Sequence, residues 1–508
     1  MSITMVRYVG LDVHKRVIEV CIVDYAGKIV HRERFALNRH TLKVFAAKVL
    51  RPTDRVALEA TTNCWAVADV LRPFVAKVVV SNPMATKAIA QAKVKTDKVD
   101  ALVLAQLLRC DFLPEVWQPD ESTRRLRELC SRRSALVGQR TAIKNRIHSV
   151  LAMRLIEAPE KLFNGEGQTW LASVQLDDQA RSLIDSDLRQ LEFLQKEIDT
   201  LDAELARRGH ASHPVKLLMT LPGVDVATAE AMLAAWGDVK RFRDGDHAAS
   251  YLGLVPSTKQ SANVCYHGPI TKRGNSQARW MLIEAAQHLD KHPGPLGHFF
   301  RRLGRKKNRN VAVVAAARKL AAIGWRMLVT GEPYRYAIPR STETKLSRLR
   351  VKATGQRRTG GSKKGTKSTA KLPGGSRTIK PLAEVCRSEG LAQPYPLSPG
   401  EQRTVQAAGC QGFVAQIAAA QLVPRRTAAG KTRKATPHAG PPPYADNARP
   451  LDDGGPRASC QNFRPPRAGE QGRSLPPPAP PASLSSVLPE SHADAKEPQP
   501  AKKSLPAS

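Results

Sequence analysis

Between residues 6 and 36 the apolar positions fall into three short runs: VRYVGLD, then VIEVCIVD, then a third at about 28–36 after a turn at Asp24–Gly27. Runs of this length, rich in Val and Ile and punctuated by Gly and Asp, predict a three-stranded meander. A helix near 40–50 follows, then a strand at 55–59, a helix around 65–72, a strand at 75–80, and helices at 83–92 and 97–109. The order βββαβαβα predicts an α/β unit over residues 1–121, a mixed sheet flanked by helices in which the first and fourth strands are neighbours.

From 122 to 208 the pattern changes to long polar helices. STRRLRELCSRRSALVGQRTAIKNRIHSVL is strongly basic on its solvent faces, which suits an RNA ligand. Leu191, Leu194, Ile198, Leu201 and Leu205 repeat in 3-4-3-4 steps, two heptads of a seam that serves either self-association or packing within the chain. A second compact, mostly α-helical unit is expected over 209–338. After it the composition turns to Lys/Arg/Gly/Ser and then Pro/Ala. Residues 339–508 therefore read as a disordered tail, possessing too little apolar surface to offset the entropy of ordering.

Charge adds a partner class. The chain carries 80 Lys+Arg against 45 Asp+Glu, a formal charge of +35, which favours a polyanion. Of these, 53 basic and 34 acidic side chains lie in the first 340 residues, so the tail does not account for the excess. Eight scattered cysteines without a C-x-x-C show neither a zinc site nor a disulfide framework, and fit a reducing cytoplasm. The best apolar stretch, VAVVAAARKLAAIGW, is interrupted by Arg318 and Lys319 and is too short to span a bilayer.

Four acids carry the candidate chemistry. Asp12 stands near the end of the first strand, Glu59 ends the fourth, and Asp97 and Asp100, three apart, share one face of a helix. If that helix packs over the strand ends, four carboxylates can hold two Mg²⁺ ions about 4 Å apart, the spacing of two-metal phosphoryl transfer. Each acid alone has an ordinary structural explanation, such as a turn Asp after a strand or a helix start capped by Thr96. Together, in this element order and in a basic chain, they point to a metal-dependent phosphoryl-transfer site on a ribonuclease-H-like sheet.

YVGLDVHK, LEATTNCW and KTDKVDALVLAQLL closely resemble the corresponding blocks of the DEDD transposases of bacterial insertion sequences. The resemblance extends over about residues 6–335. It implies a RuvC-like domain joined by a coiled coil to a C-terminal transposase domain, with Asp12, Glu59, Asp97 and Asp100 as the metal-binding acids. In the second unit, LPGVDVATAEAML resembles a helix-hairpin-helix element, in which Gly223 permits a tight turn and nearby amides bind phosphate. Lys259, Lys272, Arg273 and Arg279, interleaved with Tyr251, Tyr266, Gly268 and Gly274, form a candidate phosphate-gripping surface.

Spacing alone does not choose a nucleophile among Ser250, Ser257, Ser261 and Ser276, and Ser276 reads as a helix N-cap. The resemblance implies Ser261, in YLGLVPSTKQSAN, although Ala262 replaces the glycine that usually follows. It further implies a phosphoserine–DNA intermediate, double-stranded DNA as substrate (the element's ends or circle and the target), a structured guide RNA, and a homodimer or tetramer. Two other readings stand beside this one: a RuvC-like junction nuclease using water, and an inactive nucleic-acid-binding relic. A sugar-kinase-type phosphotransferase is disfavoured, because Val13-His14-Lys15 stands where its glycine loop would be.

Overall fold

The computed structural model describes residues 6–89, 96–261, 264–356 and 376–424, all within one compact unit. The N-terminal part is a five-stranded mixed sheet. Its elements are β1 (Tyr8–Val13), β2 (Val17–Val23), β3 (Ile29–Ala36), α1 (Arg39–Val49), β4 (Arg55–Glu59), α2 (Cys64–Leu71), β5 (Lys77–Ser81), α3 (Pro83–Ile89) and α4 (Asp97–Arg109). The strand order is β3-β2-β1-β4-β5, so β1 and β4 are neighbours as expected, and they run parallel. Residues 90–92 of the expected third helix lie outside the described residues.

Period-two alternation divides β1 between two layers. Val9, Leu11 and Val13 point into a core with Leu42, Phe45 and Leu71 of α1 and α2. Gly10 and Asp12 therefore face the opposite layer, where Ala101 and Ala105 of α4 pack on Cys21 and Val23. Gly10 is what lets α4 approach: a Cβ at this position would lie 1.9 Å from the Ala101 carbonyl oxygen. Ala57 and Val79 join Leu104 and Leu108 on the same side.

Two long helices follow, α5 (Glu121–Ala152) and α7 (Asp178–Ala211), with α6 (Gly165–Ser173) between them. The leucine seam is used within the chain. Leu194 and Ile198 are buried against Leu136, Ile143 and Ile147 of α5, so this stripe is not available for self-association. The basic face expected on α5 is also largely committed to internal contacts. Arg124 reaches Asp69, Arg133 reaches Asp202, Arg140 reaches Gln195 and Arg146 reaches Asp187. Sequence periodicity shows which face of a helix is charged; it does not show whether its own chain neutralises that charge.

The third part comprises α8 (His213–Leu218), α9 (Val226–Trp236), α10 (Gly245–Tyr251), a hairpin of β6 (Pro256–Ser261) and β7 (Val264–Ile270), α11 (Ser276–Gln287), α12 (Pro295–Lys306), α13 (Arg309–Thr330) and α14 (Pro339–Thr354). Trp117, between the sheet and α5, ties the parts together. Its ring meets Gly237, where a Cβ would come within 2.1 Å, and the guanidinium groups of Arg127 at 5.6 Å and Arg241 at 4.5 Å lie over it.

The tail reading changes for part of its length. Helix α14 packs its Leu346 and Leu349 into the main core and ties Lys352 to Asp202 at 2.6 Å. Beyond it come β8 (Ser376–Ile379), α15 (Leu382–Ser388), α16 (Pro399–Ala407), α17 (Gln411–Ala418) and β9 (Gln421–Pro424). Leu382, Cys386, Leu391 and Ile417 enter the same core, Arg335 bridges Glu332 and Glu401, and Cys410 Sγ donates to the Pro293 carbonyl at 3.2 Å. Average composition concealed these few well-spaced apolar residues. Residues 357–375 and 425–508 lie outside the described residues.

One buried carboxyl gives stability a pH dependence. Glu230 of α9 is 3% exposed, and its Oε1 has no hydrogen-bond partner. Burial pushes its pKa up to about 7, opposed by the charge of Arg208. The folded state thus favours the protonated form, so stability is greatest below the unfolded pKa and is lost as pH rises through about 7. Glu230→Gln should remove that slope and stabilise the protein at about pH 8 by about 3 kcal/mol, checked by denaturant unfolding across this range.

Candidate active site

The four acids predicted from the sequence gather around one end of β1. Asp12 stands on β1 facing α4, whose first turn carries Asp97 and Asp100. The turn is fixed by Thr96, whose hydroxyl accepts from the Val99 amide at 3.4 Å. In the neighbouring strand Leu58 is in register with Leu11, which places Glu59 beside Asp12. Glu59 shares its face with Ala57, the residue packed under α4, so it lies on the α4 side as well.

Electrostatics supports a cation in this corner. Burial raises the pKa of Asp12; nearby Asp100 and Asp97 raise it further, and His14 opposes them. Three half-buried carboxylates this close repel one another, and a hard divalent cation with oxygen ligands would relieve the repulsion. One ligand atom each from Asp12, His14 and Asp97 lies within 4.8 Å of the others. His14 was missed by sequence reasoning, and its signal was simple. It follows Asp12 by two, one residue past the end of the strand, so the strand alternation carried one step further brings both side chains to one side. Its Nε2 lies 3.1 Å from Asp12 Oδ2 and 3.4 Å from Asp97 Oδ1. Glu19, opposite Asp12 in the β1–β2 ladder, is a further buried carboxylate, with Arg34 Nε at 3.9 Å.

The serine lies on another element. Ser261 ends β6, opposite Val264 of β7, and is exposed. Lys259 and Tyr266, paired across the hairpin, lie one alternation back on the same face. Ala262 lies outside the described residues. The base of the hairpin is a tight backbone junction. Gly253, at φ +70°, would place a Cβ 2.4 Å from the Arg273 carbonyl oxygen, and Gly274, at φ +103°, one 2.0 Å from that of Tyr251.

This junction reassigns two of the sequence expectations. Arg279 is half-buried and donates to the Leu252 carbonyl at 2.9 Å, so it holds the hairpin base where a phosphate contact was expected. Ser276 is not an N-cap: Asn275 fills that role, accepting from the Ala278 amide at 2.8 Å. Lys272 and Arg273 remain exposed. Gly223, at φ +73°, is exposed in a turn braced from below by Lys345, whose Nζ donates to the Leu221 and Val224 carbonyls at 2.6 and 2.9 Å. At the adjacent helix start Asp225 already accepts from the Thr228 amide at 3.0 Å.

Comparison with known proteins matches both regions. Residues 9–154 match the DEDD transposase family of IS110 elements, and residues 215–300 match the transposase family of IS116, IS110 and IS902. The transposase for insertion sequence element IS1111A of Coxiella burnetii is 26% identical over 347 residues, covering 66% of this chain and 93% of that protein. A probable family 20 transposase of Pseudomonas aeruginosa is 28% identical over 344 residues, covering 64% and 98%. The pilin gene-inverting protein of Moraxella bovis is 26% identical over 340 residues, covering 64% and 97%. The two family regions occur in chain order, and the first contains all four acids: the chain belongs to the IS110 family of insertion-sequence transposases.

Proposed function

We propose that this transposase cleaves and rejoins the DNA of its insertion sequence through a composite site. In it, Asp12, Glu59, Asp97 and Asp100 hold divalent metal, most simply two Mg²⁺ ions, and Ser261 is the nucleophile. The observation that carries the reading is the convergence of the strand-end acids with the first turn of α4. The strand order β3-β2-β1-β4-β5 supports a RuvC-like sheet. Bound metal would supply charge neutralisation at the scissile phosphate.

The chain's own residues do the rest. Strand and helix fix the acids before substrate arrives, so little reorganisation is needed on binding. The exposed hairpin presents Ser261, and Lys259 on the same face, with Lys272 and Arg273 at its base, gives phosphate a cationic approach. Serine Oγ forms a bond to phosphorus as the bond from phosphorus to the leaving sugar oxygen breaks. The proton lost from Oγ ends on that oxygen. The phosphoserine link preserves the phosphodiester's bond energy, and an incoming sugar hydroxyl reverses the step on a new strand. Strand exchange of this kind suits a dimer or tetramer, and a structured RNA pairing with donor and target would select the sites. The turn at Gly223 would add a phosphate contact that reads no sequence.

The test is covalent trapping on element-end DNA. Wild type should leave a protein–DNA adduct stable to denaturant, and Ser261→Ala should remove it while DNA affinity stays within about twofold. Adducts that persist in Ser261→Ala would refute the serine assignment. Cleavage without any adduct would identify water as the nucleophile instead.

A further inference from the structure

A run of cations without an ion pair among the described residues lies elsewhere in the fold. Arg302, Arg305, Lys306, Lys307 and Arg309 lie on the last turns of α12 and the turn into α13, all exposed. Among the described residues none of them forms an ion pair, whereas Arg124, Arg125, Arg133 and Arg146 of α5 do. Arg301 is different, since it donates to the carbonyls of Asp290 and His292. Exposed cations that the chain leaves unneutralised repel one another, and a polyanion would relieve that repulsion.

The basic strip borders a cavity of about 460 Å³ between α12, α13 and α16. Phe299, Tyr334 and Tyr336 supply aromatic walls, Arg302 and Lys319 supply charge, and Ala407 and Ala408 close one side. Lys319 Nζ sits 5.0 Å from the centre of the Phe299 ring, and Tyr334 and Tyr336 meet edge to face at 5.7 Å. A cavity of this size accommodates a flat heterocycle. Stacking surfaces beside a track of cations are what proteins use to bind single-stranded nucleic acid: the phosphates follow the charge, and the bases lie on the rings. A duplex could follow the cations, but its paired bases could not enter the cavity.

We propose that this cavity receives an unpaired nucleobase of a single-stranded nucleic acid whose phosphates run along Arg302, Arg305 and Lys306. The site uses neither the four acids nor Ser261, so it stands or falls separately from the reaction chemistry. One wall comes from α16, which gives the folded part of the C-terminal extension a role in binding.

Fluorescence anisotropy with the full chain tests the assignment, using labelled single strands of about twelve nucleotides. The probes are a DNA strand, an RNA strand of the same sequence, an abasic strand and a DNA duplex. Tyr336→Leu should weaken the base-bearing strands about tenfold and leave the abasic strand and duplex unchanged, while Tyr336→Phe should bind like wild type. Arg302→Glu with Arg305→Glu should weaken every probe and flatten the log–log salt slope for single strands by about 1.4. Comparing the DNA and RNA strands identifies which polymer the site prefers. Should Tyr336→Leu fail to fold, photocrosslinking of a halopyrimidine strand to the wild-type chain decides. Adducts on Phe299, Tyr334 or Tyr336 support the site. Adducts confined to other segments, or equal losses on base-bearing and abasic strands, overturn it.

Discussion

Asp12→Asn is expected to lower DNA cleavage by about a thousandfold while leaving the protein as stable as wild type or slightly more so. The two effects have one origin. Asp12 faces the charges of Asp97 and Asp100 from a half-buried position, and burial already works against its ionised form. Removing that charge relieves repulsion in the free protein, and it also removes one of the acids proposed to hold the metal. Plasmid cleavage, thermal melting and calorimetric titration with Mn²⁺ separate the outcomes. A variant that melts like wild type but neither binds the cation nor cuts establishes the acid corner as the metal site. One that binds and cuts normally would remove Asp12 from it.

Gly10→Ala should also lower activity strongly, without touching any acid. An added methyl would meet the Ala101 carbonyl at 1.9 Å and the Ala105 amide nitrogen at 2.7 Å, both backbone atoms that no rotamer change can move. Helix α4 must then lift from β1, carrying Asp97 and Asp100 away from Asp12. Overpacking of this kind costs about 3 kcal/mol, and loss of alignment at the acids adds an activity defect of about a hundredfold. Unfolding and cleavage measured at a temperature where the variant remains folded would distinguish misalignment from simple instability. Wild-type turnover by folded Gly10→Ala would show that α4 need not sit where the structure places it.

The residues whose positions were legible in the sequence are those governed by local rules. Strand alternation and element order were enough to place Asp12 beside Glu59, because register between neighbouring parallel strands follows from the hydrophobic pattern. Asp97 and Asp100 were legible as one helix face for the same reason. Pairings across the chain were not legible. Whether Leu194 and Ile198 meet a second subunit or α5 depends on tertiary packing, and the periodicity is the same in either case. The arginines of α5 and Arg279 looked available because their partners, Asp202, Gln195, Asp187 and the Leu252 carbonyl, lie far away in sequence or on the backbone. The segment 376–424 looked unstructured because its folding depends on a few apolar residues entering a core already built by earlier helices.

The Trp117 junction has a practical consequence for handling the protein. Contacts to nucleic-acid phosphate are screened at about 1 M salt, where the Debye length falls to about 3 Å. The contacts of the Trp117 ring with Arg127, Arg241 and Gly237 are short-ranged, so they survive such conditions. A high-salt wash should therefore strip copurifying nucleic acid from a chain this basic without parting its sheet from its helices. Preparations cleaned in this way would still have both halves of the proposed active site held through the same junction.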